Sequence, residues 1–269
     1  MPDSPDLAFA LILLLRMAVA AVFVVGASII TERAGPMIGA LVATLPVATG
    51  PVYVFLALDH DAAFIAASAL AALPINAATI TYGLVYVMMA QRHGMMASFG
   101  AAMLTWLALA SLAHSVTWSL GSALAVNALV CAICLPLSQR YRKVVMPPIR
   151  RRWYDIPLRA LLVALMVATV VGLSNRVGPA VTGVLAVFPI VSSSLMLILH
   201  PRIGGRATAA VLANSVWGLA GFGLGLAMLY LVTPHLGTVT GLLLALAVCV
   251  VWNLGLWGFS RRGMARAAG

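Results

Sequence analysis

Acidic residues are scarce in this chain: six Asp and Glu in 269 residues, with charged residues of both signs amounting to 8%. None of the six lies inside an apolar run. Asp3 and Asp6 precede the first run, Glu32, Asp59 and Asp61 stand at run ends, and Asp155 closes a basic loop. A proton relay through buried carboxylates, common in pumps, therefore has no carriers. The five histidines (His60, His93, His114, His200 and His235) also fall near run ends. Cysteine is equally sparse. Cys131 and Cys134 have CxxC spacing in an apolar stretch, Cys249 stands alone, and no second pair completes a zinc or redox site, whose thiolates need stabilising neighbours. There is no GxxxxGK(S/T), HExxH or GxSxG, so nucleotide-driven transport and hydrolysis by those routes lack residues. The expectation is a protein that is not an enzyme and holds no metal or cofactor. No cleavable leader is expected either, because the first apolar run is too long for one and follows acids.

What is present is apolar. Hydrophobic residues make up 63% of the chain and the mean hydropathy is +1.09, whereas a soluble domain is about half apolar and a quarter charged. A soluble globule is excluded. Barrel strands are excluded too, since the runs are continuous rather than alternating. A membrane helix needs about 20 apolar residues, and punctuation by charge yields nine candidate spans: 7–30, 36–58, 62–90, 95–113, 117–137, 157–174, 178–199, 207–232 and 238–259. The expected fold is all-α, a polytopic membrane bundle of about nine transmembrane helices.

The net charge of +10 would suggest nucleic acid for a soluble protein. Here the positions decide otherwise. With the basic loop 138–155 taken as cytoplasmic, alternation puts Arg33, Arg92, Arg140, Arg142, Lys143, Arg150, Arg151, Arg152, Arg202, Arg206, Arg261, Arg262 and Arg266 on that side, 13 cations. The other side holds Arg176 alone. This positive-inside bias predicts an outer N-terminus, a cytoplasmic C-terminus and no nucleic-acid partner. Membrane lipids are expected partners, with the 140–152 loop suited to anionic head groups.

The chain also repeats itself. Residues 14–36 and 157–179 align without a gap, so that Arg16 falls on Arg159, Arg33 on Arg176 and Gly35-Pro36 on Gly178-Pro179. The match continues to Pro46 on Pro189 and, after a shorter loop, to Asn76 on Asn214 and Gly83 on Gly221. The expected organisation is repeat one at 1–115, a connecting span and basic loop at 116–156, and repeat two with a C-terminal tail at 157–269. One intervening span inverts the second copy, and such inverted-topology repeats are a hallmark of secondary transporters.

Both copies interrupt their second span at the same place. Pro46, with Gly50 and Pro51 close by, breaks one, and Pro189 breaks the other. A proline removes a backbone hydrogen bond and clashes with the preceding turn, and in hydrocarbon such breaks survive where they face protein or a wet cavity. Small polar residues follow: Thr49 and Gly50 in the first copy, Ser192, Ser193 and Ser194 in the second. The expected substrate site is therefore Thr44–Pro51 against Val187–Ser194, with Thr44, Pro46, Thr49, Gly50, Pro189, Ser192 and Ser193 as contacts. Asn76 and Asn214, in the middle of apolar helices, are expected either to line the path or to tie helices together. Asn127 and Asn253 are expected to be packing contacts. Arg16, behind nine apolar residues, is expected to contact substrate or a counter-ion, whereas Arg159 is close enough to the basic loop to snorkel.

The Gly-Pro…Ala-x-x-Pro stretch of each half resembles small GlpM-type bacterial inner-membrane proteins, over roughly 35–90 and 178–230, as though two were fused. The resemblance implies a four-span unit and adds no substrate. The expected location is a bacterial inner (plasma) membrane. The leading functional expectation is a secondary transporter or exporter of a small polar or anionic molecule. The alternatives are a non-transporting scaffold or assembly factor, whose broken helices only pack, and a lipid-translocating protein. A homodimer is compatible with each.

Overall fold

The computed structural model describes residues 5–33, 46–142, 144 and 152–267. Among these residues there are nine helices and no strand: α1 (Pro5–Arg33), α2 (Thr49–Asp59), α3 (Ala62–Met89), α4 (Met95–His114), α5 (Leu120–Gln139), α6 (Asp155–Ala186), α7 (Ile190–Ile203), α8 (Gly205–Leu236) and α9 (Thr238–Ala267). Six are long and apolar enough to cross a membrane: α3, α4, α5, α6, α8 and, over Thr238–Gly258, α9. The fold is thus an all-helical bundle with the make-up of a membrane protein. The described apolar stretch of α1, Leu11–Ala27, is shorter, as is α7. With 11 residues, α2 rises only about 16 Å, against a hydrocarbon core of about 30 Å. The runs at 36–58 and 178–199 are therefore not single helices.

Local chemistry explains several boundaries. Asp61 caps α3 by accepting from the Phe64 amide at 2.9 Å. Ser119 and Ser122 form a reciprocal capping box at the start of α5, which satisfies two otherwise orphaned donors. Within Asp155–Ala186, Gly178 takes φ 74° and ψ 176°, a region glycine enters without steric cost. Pro179 then restarts the helix. The segment is two helices end to end, 155–177 and 179–186, and the boundary expected between 174 and 178 is a single-residue turn rather than a loop.

In the centre stands α3, with Tyr82, Tyr86, Ile65, Leu73, Ile75 and Ile80 fully enclosed. It packs on α8, α4, α6 and α5, while α1 lies along α6 and α9 along α8. Association of helices in lipid depends on close packing of small side chains more than on hydrophobic burial, and α3 is rich in Ala as α8 is in Gly. At Gly183 the approach is closest: a Cβ there would collide with the Ser68 carbonyl oxygen on α3.

Candidate functional site

A helix starts in a similar way just after each of the two prolines. After Pro46 the first turn of α2 closes with the Gly50 amide donating to the Pro46 carbonyl at 2.7 Å, and after Pro189 the Ser193 amide donates to the Pro189 carbonyl at 2.9 Å. Neither first turn has a side-chain cap, because Ala48 and Pro189 occupy the capping positions. Several leading donors are already spent: the Gly50 amide goes to Pro46, the Ile190 amide donates to the Phe188 carbonyl at 2.7 Å and Pro51 has no N–H, so what each start offers is chiefly the partial positive charge of the helix dipole.

The two starts meet. A cavity of about 340 Å³ is lined by Pro46, Val47, Ala48 and Thr49 from the first break and by Val187, Phe188, Pro189, Ile190, Val191, Ser192 and Ser194 from the second. Thr79 of α3, Ser215 of α8 and Arg159 of α6 supply the rest of its polar wall. The volume is in the range of small-molecule sites. Arg159 stands one helical turn from Asp155, so the cavity reaches from the breaks toward the end of α6 at which Asp155 pairs with Arg202, at 2.6 and 2.7 Å.

Around the second break the neighbours hold their places by hydrogen bonds. Thr79 Oγ1 donates to the Ile75 carbonyl at 3.0 Å and accepts from Trp106 Nε1 at 3.0 Å, and the Trp106 ring meets Phe188 edge-on at 5.1 Å. Ser193 turns away from the cavity. Its hydroxyl donates to the Pro189 carbonyl at 2.7 Å and lies 2.8 Å from the Tyr82 hydroxyl. One turn further along α3, Tyr86 Oη is 2.7 Å from His200 Nδ1. Two tyrosines four residues apart thus fasten α7 to α3.

A second, wholly different space abuts the first. Ala27, Pro46, Val47, Thr49 and Phe222 line both. This cleft, of about 430 Å³, is walled almost entirely by carbon from α1, α2, α8 and α9, and opens on the apolar outer surface of the bundle. Phe23, Val54 and Leu243 on its rim are exposed.

The expected site residues therefore separate. Pro46, Thr49, Pro189 and Ser192 line the polar cavity, and Gly50 lines the apolar cleft. Thr44 lies outside the described residues. Arg16 is absent from both walls. It is held by the carboxylate of Asp59, with Nη2 donating to Oδ1 at 2.7 Å and a second contact from Nη1 to Oδ2, and its guanidinium lies over the Phe55 ring. Its repeat counterpart Arg159, expected only to snorkel, lines the cavity. Asn76 is fully buried away from both spaces, donating to Asn127 Oδ1 and to the Leu219 carbonyl, each at 3.0 Å. Asn127 in turn donates to the Leu73 and Ala123 carbonyls, so this pair ties α3, α5 and α8 together. Asn214 is exposed and accepts from Arg142 Nε at 2.7 Å.

Sequence reasoning missed Thr79, Ser215, Tyr82, Tyr86 and the Asp155–Arg202 pair. The tyrosines carried a usable signal, since their four-residue spacing puts two hydroxyls on one face of an Ala-rich helix. No family model, curated protein or solved structure matches the chain.

Proposed function

We propose that this protein is a multi-pass secondary transporter of a small anionic or polar molecule, built from two inverted copies and binding its substrate where the two broken helices meet. The observation that carries the reading is the shared cavity. Two uncapped half-helix starts from separate parts of the chain line one space, together with three hydroxyl-bearing residues of the second break and its neighbours (Ser192, Ser194 and Ser215), Thr79 and a guanidinium. The partial positive charge of the two helix starts and the Arg159 guanidinium favour an anion, while Thr79, Ser194 and Ser215, whose hydroxyl protons go to the Ile75, Val191 and Val211 carbonyls, add polar wall.

The packing supports the inverted copies. Helices that a two-fold in the membrane plane would exchange lie against each other, α1 on α6 and α3 on α8. Other contacts occur as exchanged pairs, α3 on α4 with α8 on α9 and α2 on α9 with α7 on α4, whereas the packing of α6 on α2 and α3 has no counterpart of similar extent between α1 and α7 or α8. The connector α5 touches both α3 and α8. In this reading the two interrupted segments complete nine passes, each copy is a four-span unit of the kind the GlpM-type resemblance implies, and the basic loop and C-terminus are cytoplasmic at a bacterial inner membrane. Alternating access follows from rocking one copy against the other about a fixed central site. The one carboxylate buried among the described residues, Asp155, is held by Arg202 at 2.6 and 2.7 Å, so in this reading the solute moves down its own gradient or by exchange.

The test is uptake into proteoliposomes across a panel of small anions, with and without ion gradients. Saturable uptake that is lost on replacing Ser192 and Ser215 by Leu supports the reading. Absence of flux for every anion, with protein that elutes as a folded species, overturns it and leaves a scaffold.

A further inference from the structure

The amide of Asn214 is exposed on an apolar helix, a place where a polar group is costly unless it has a partner. Its partner comes from another part of the chain. With 20 residues, α5 rises about 30 Å, the thickness of the hydrocarbon core, so its end at Gln139 reaches a membrane surface. Three residues on, Arg142 turns back onto α8. Its Nε donates to Asn214 Oδ1 at 2.7 Å, and its guanidinium lies over the Trp217 ring, 5.7 Å from the centroid. Asn214 is fixed in turn, because its Nδ2 donates to the Ala210 carbonyl at 2.8 Å.

We infer that Arg142 is the centre of a binding site for an anionic phospholipid, separate from the cavity at the two breaks and independent of what that cavity carries. With Nε and one face of the guanidinium engaged, Arg142 is still exposed, and what it presents outward is the fork of Nη1 and Nη2. The two parallel N–H donors of such a fork match two phosphate oxygens. An arginine on a surface turn ordinarily loses rotamer freedom when it binds. Here Asn214 and Trp217 have already fixed the side chain, which lowers the cost of binding.

The surroundings favour a lipid over a free anion. Leu129, Ile133 and Leu137 recur every four residues and so lie along one face of α5, at 61%, 52% and 37% exposure. This apolar stripe runs from the membrane interior toward the turn that carries Arg142, along the path an acyl chain takes from a phosphate held there. Beside Arg142, Trp252 Nε1 donates to the Trp217 carbonyl at 2.9 Å, and tryptophan is a side chain enriched at head-group depth. Charge then selects the kind of lipid. Arg140 is exposed two residues away and Lys143 follows in the chain, so the turn attracts anionic head groups and repels the ammonium of a zwitterionic one.

The experiment is native mass spectrometry of the full-length protein released from mixed micelles of phosphatidylglycerol and phosphatidylcholine with matched acyl chains. Glycerol 3-phosphate serves as the free head group in a parallel series, and a melt in lipid-free detergent checks that each variant is folded. The expected result is one tightly held phosphatidylglycerol, retained about tenfold better than phosphatidylcholine, the order of one charge-assisted hydrogen bond. Glycerol 3-phosphate in large excess should not displace it. Arg142→Gln should remove the preference, Arg142→Lys, which keeps the charge but loses the fork, should restore only part of it, and Asn214→Ala should weaken it several-fold. Arg92→Gln, which removes the same charge at another exposed position, should leave it unchanged. Equal retention of the two lipids, a preference that survives Arg142→Gln, or an equal loss in Arg92→Gln overturns the inference. Displacement by equimolar glycerol 3-phosphate overturns it also, in favour of a small-anion site.

Discussion

Arg202 donates through both terminal nitrogens to the carboxylate of Asp155, at 2.6 and 2.7 Å, and so fastens the far end of α7 to the start of α6. Arg16 and Asp59 do the same for the far end of α2 and α1, with the charges exchanged between the elements. Asp155 and Ser174, whose hydroxyl meets His60 beside Asp59, are 19 residues apart on one helix. At 1.5 Å per residue that is about 28 Å, close to a hydrocarbon thickness of about 30 Å. Each pair therefore anchors the outer tip of a broken helix at an opposite end of the bundle.

The two pairs should respond differently to inversion. Asp155→Asn should cost about 1–3 kcal/mol, the range for hydrogen bonds to charged groups, read as a lowered thermal midpoint in detergent. Exchanging Asp155 and Arg202 should recover only part of this loss, because the swap puts a cation at the start of α6 and an anion at the end of α7, both against the helix dipoles. Exchanging Arg16 and Asp59 should recover all of its loss, because a cation then replaces the anion at the end of α2. Equal recovery in the two swaps would show that the dipoles contribute nothing here.

Replacing both Pro46 and Pro189 by Ala should leave membrane insertion and folding intact, since alanine is the better helix former by about 3 kcal/mol. Substrate flux should fall at least tenfold, because α2 and α7 would extend through the breaks and close the cavity that their starts line. Wild-type flux in the double variant would reduce the prolines to packing kinks.

The Asn76–Asn127 contact is structural, so its loss should be felt in stability. Asn127→Leu removes one of the two acceptors of the Asn76 amide and the side-chain donor to two carbonyls and should cost about 1–2 kcal/mol, the size of an interhelical hydrogen bond in a membrane. Gly223→Ala should destabilise at least as much, since its Cβ would come within 2.9 Å of Asn76 Nδ2. Asn214→Ala, at an exposed position, should stay within about 0.5 kcal/mol. Thermal unfolding of the three variants checks the order.

Acid should loosen the tip of α2. Burial holds His60 below the ordinary imidazole value, against the smaller opposing pull of Asp59 and Asp61, so the ring is neutral at pH 7 beside Ser174. Its folded-state affinity for protons is lower than in the unfolded chain. Stability is therefore fully present above about pH 6.5, the unfolded value, and is lost as pH falls through the lower folded value. Thermal midpoints should be flat from pH 7 to 8 and decline below about pH 6, and His60→Gln should lessen the decline. A midpoint that rises on acidification would contradict the burial argument.

Much of this architecture was legible in the sequence. Helical class and the approximate limits of α3, α4, α5 and α9 followed from composition and apolar run length, because a chain in hydrocarbon must satisfy its backbone within helices and has few other options, whereas the runs at 36–58 and 178–199 did not give single helices. The two breaks were legible because proline acts locally, on its own turn, whatever surrounds it. The direction in which a side chain faces was not legible, since it depends on which neighbour arrives from elsewhere in the chain. Arg16 and Arg159 align in the repeat, yet the first pairs with Asp59 away from both spaces while the second lines the cavity. Asn76 and Asn214 also align, and one is buried in a three-helix network while the other meets Arg142 at the surface. The abutment of polar cavity and apolar cleft belongs wholly to the tertiary structure, because their walls come from segments some 200 residues apart, and only packing brings those segments to one place.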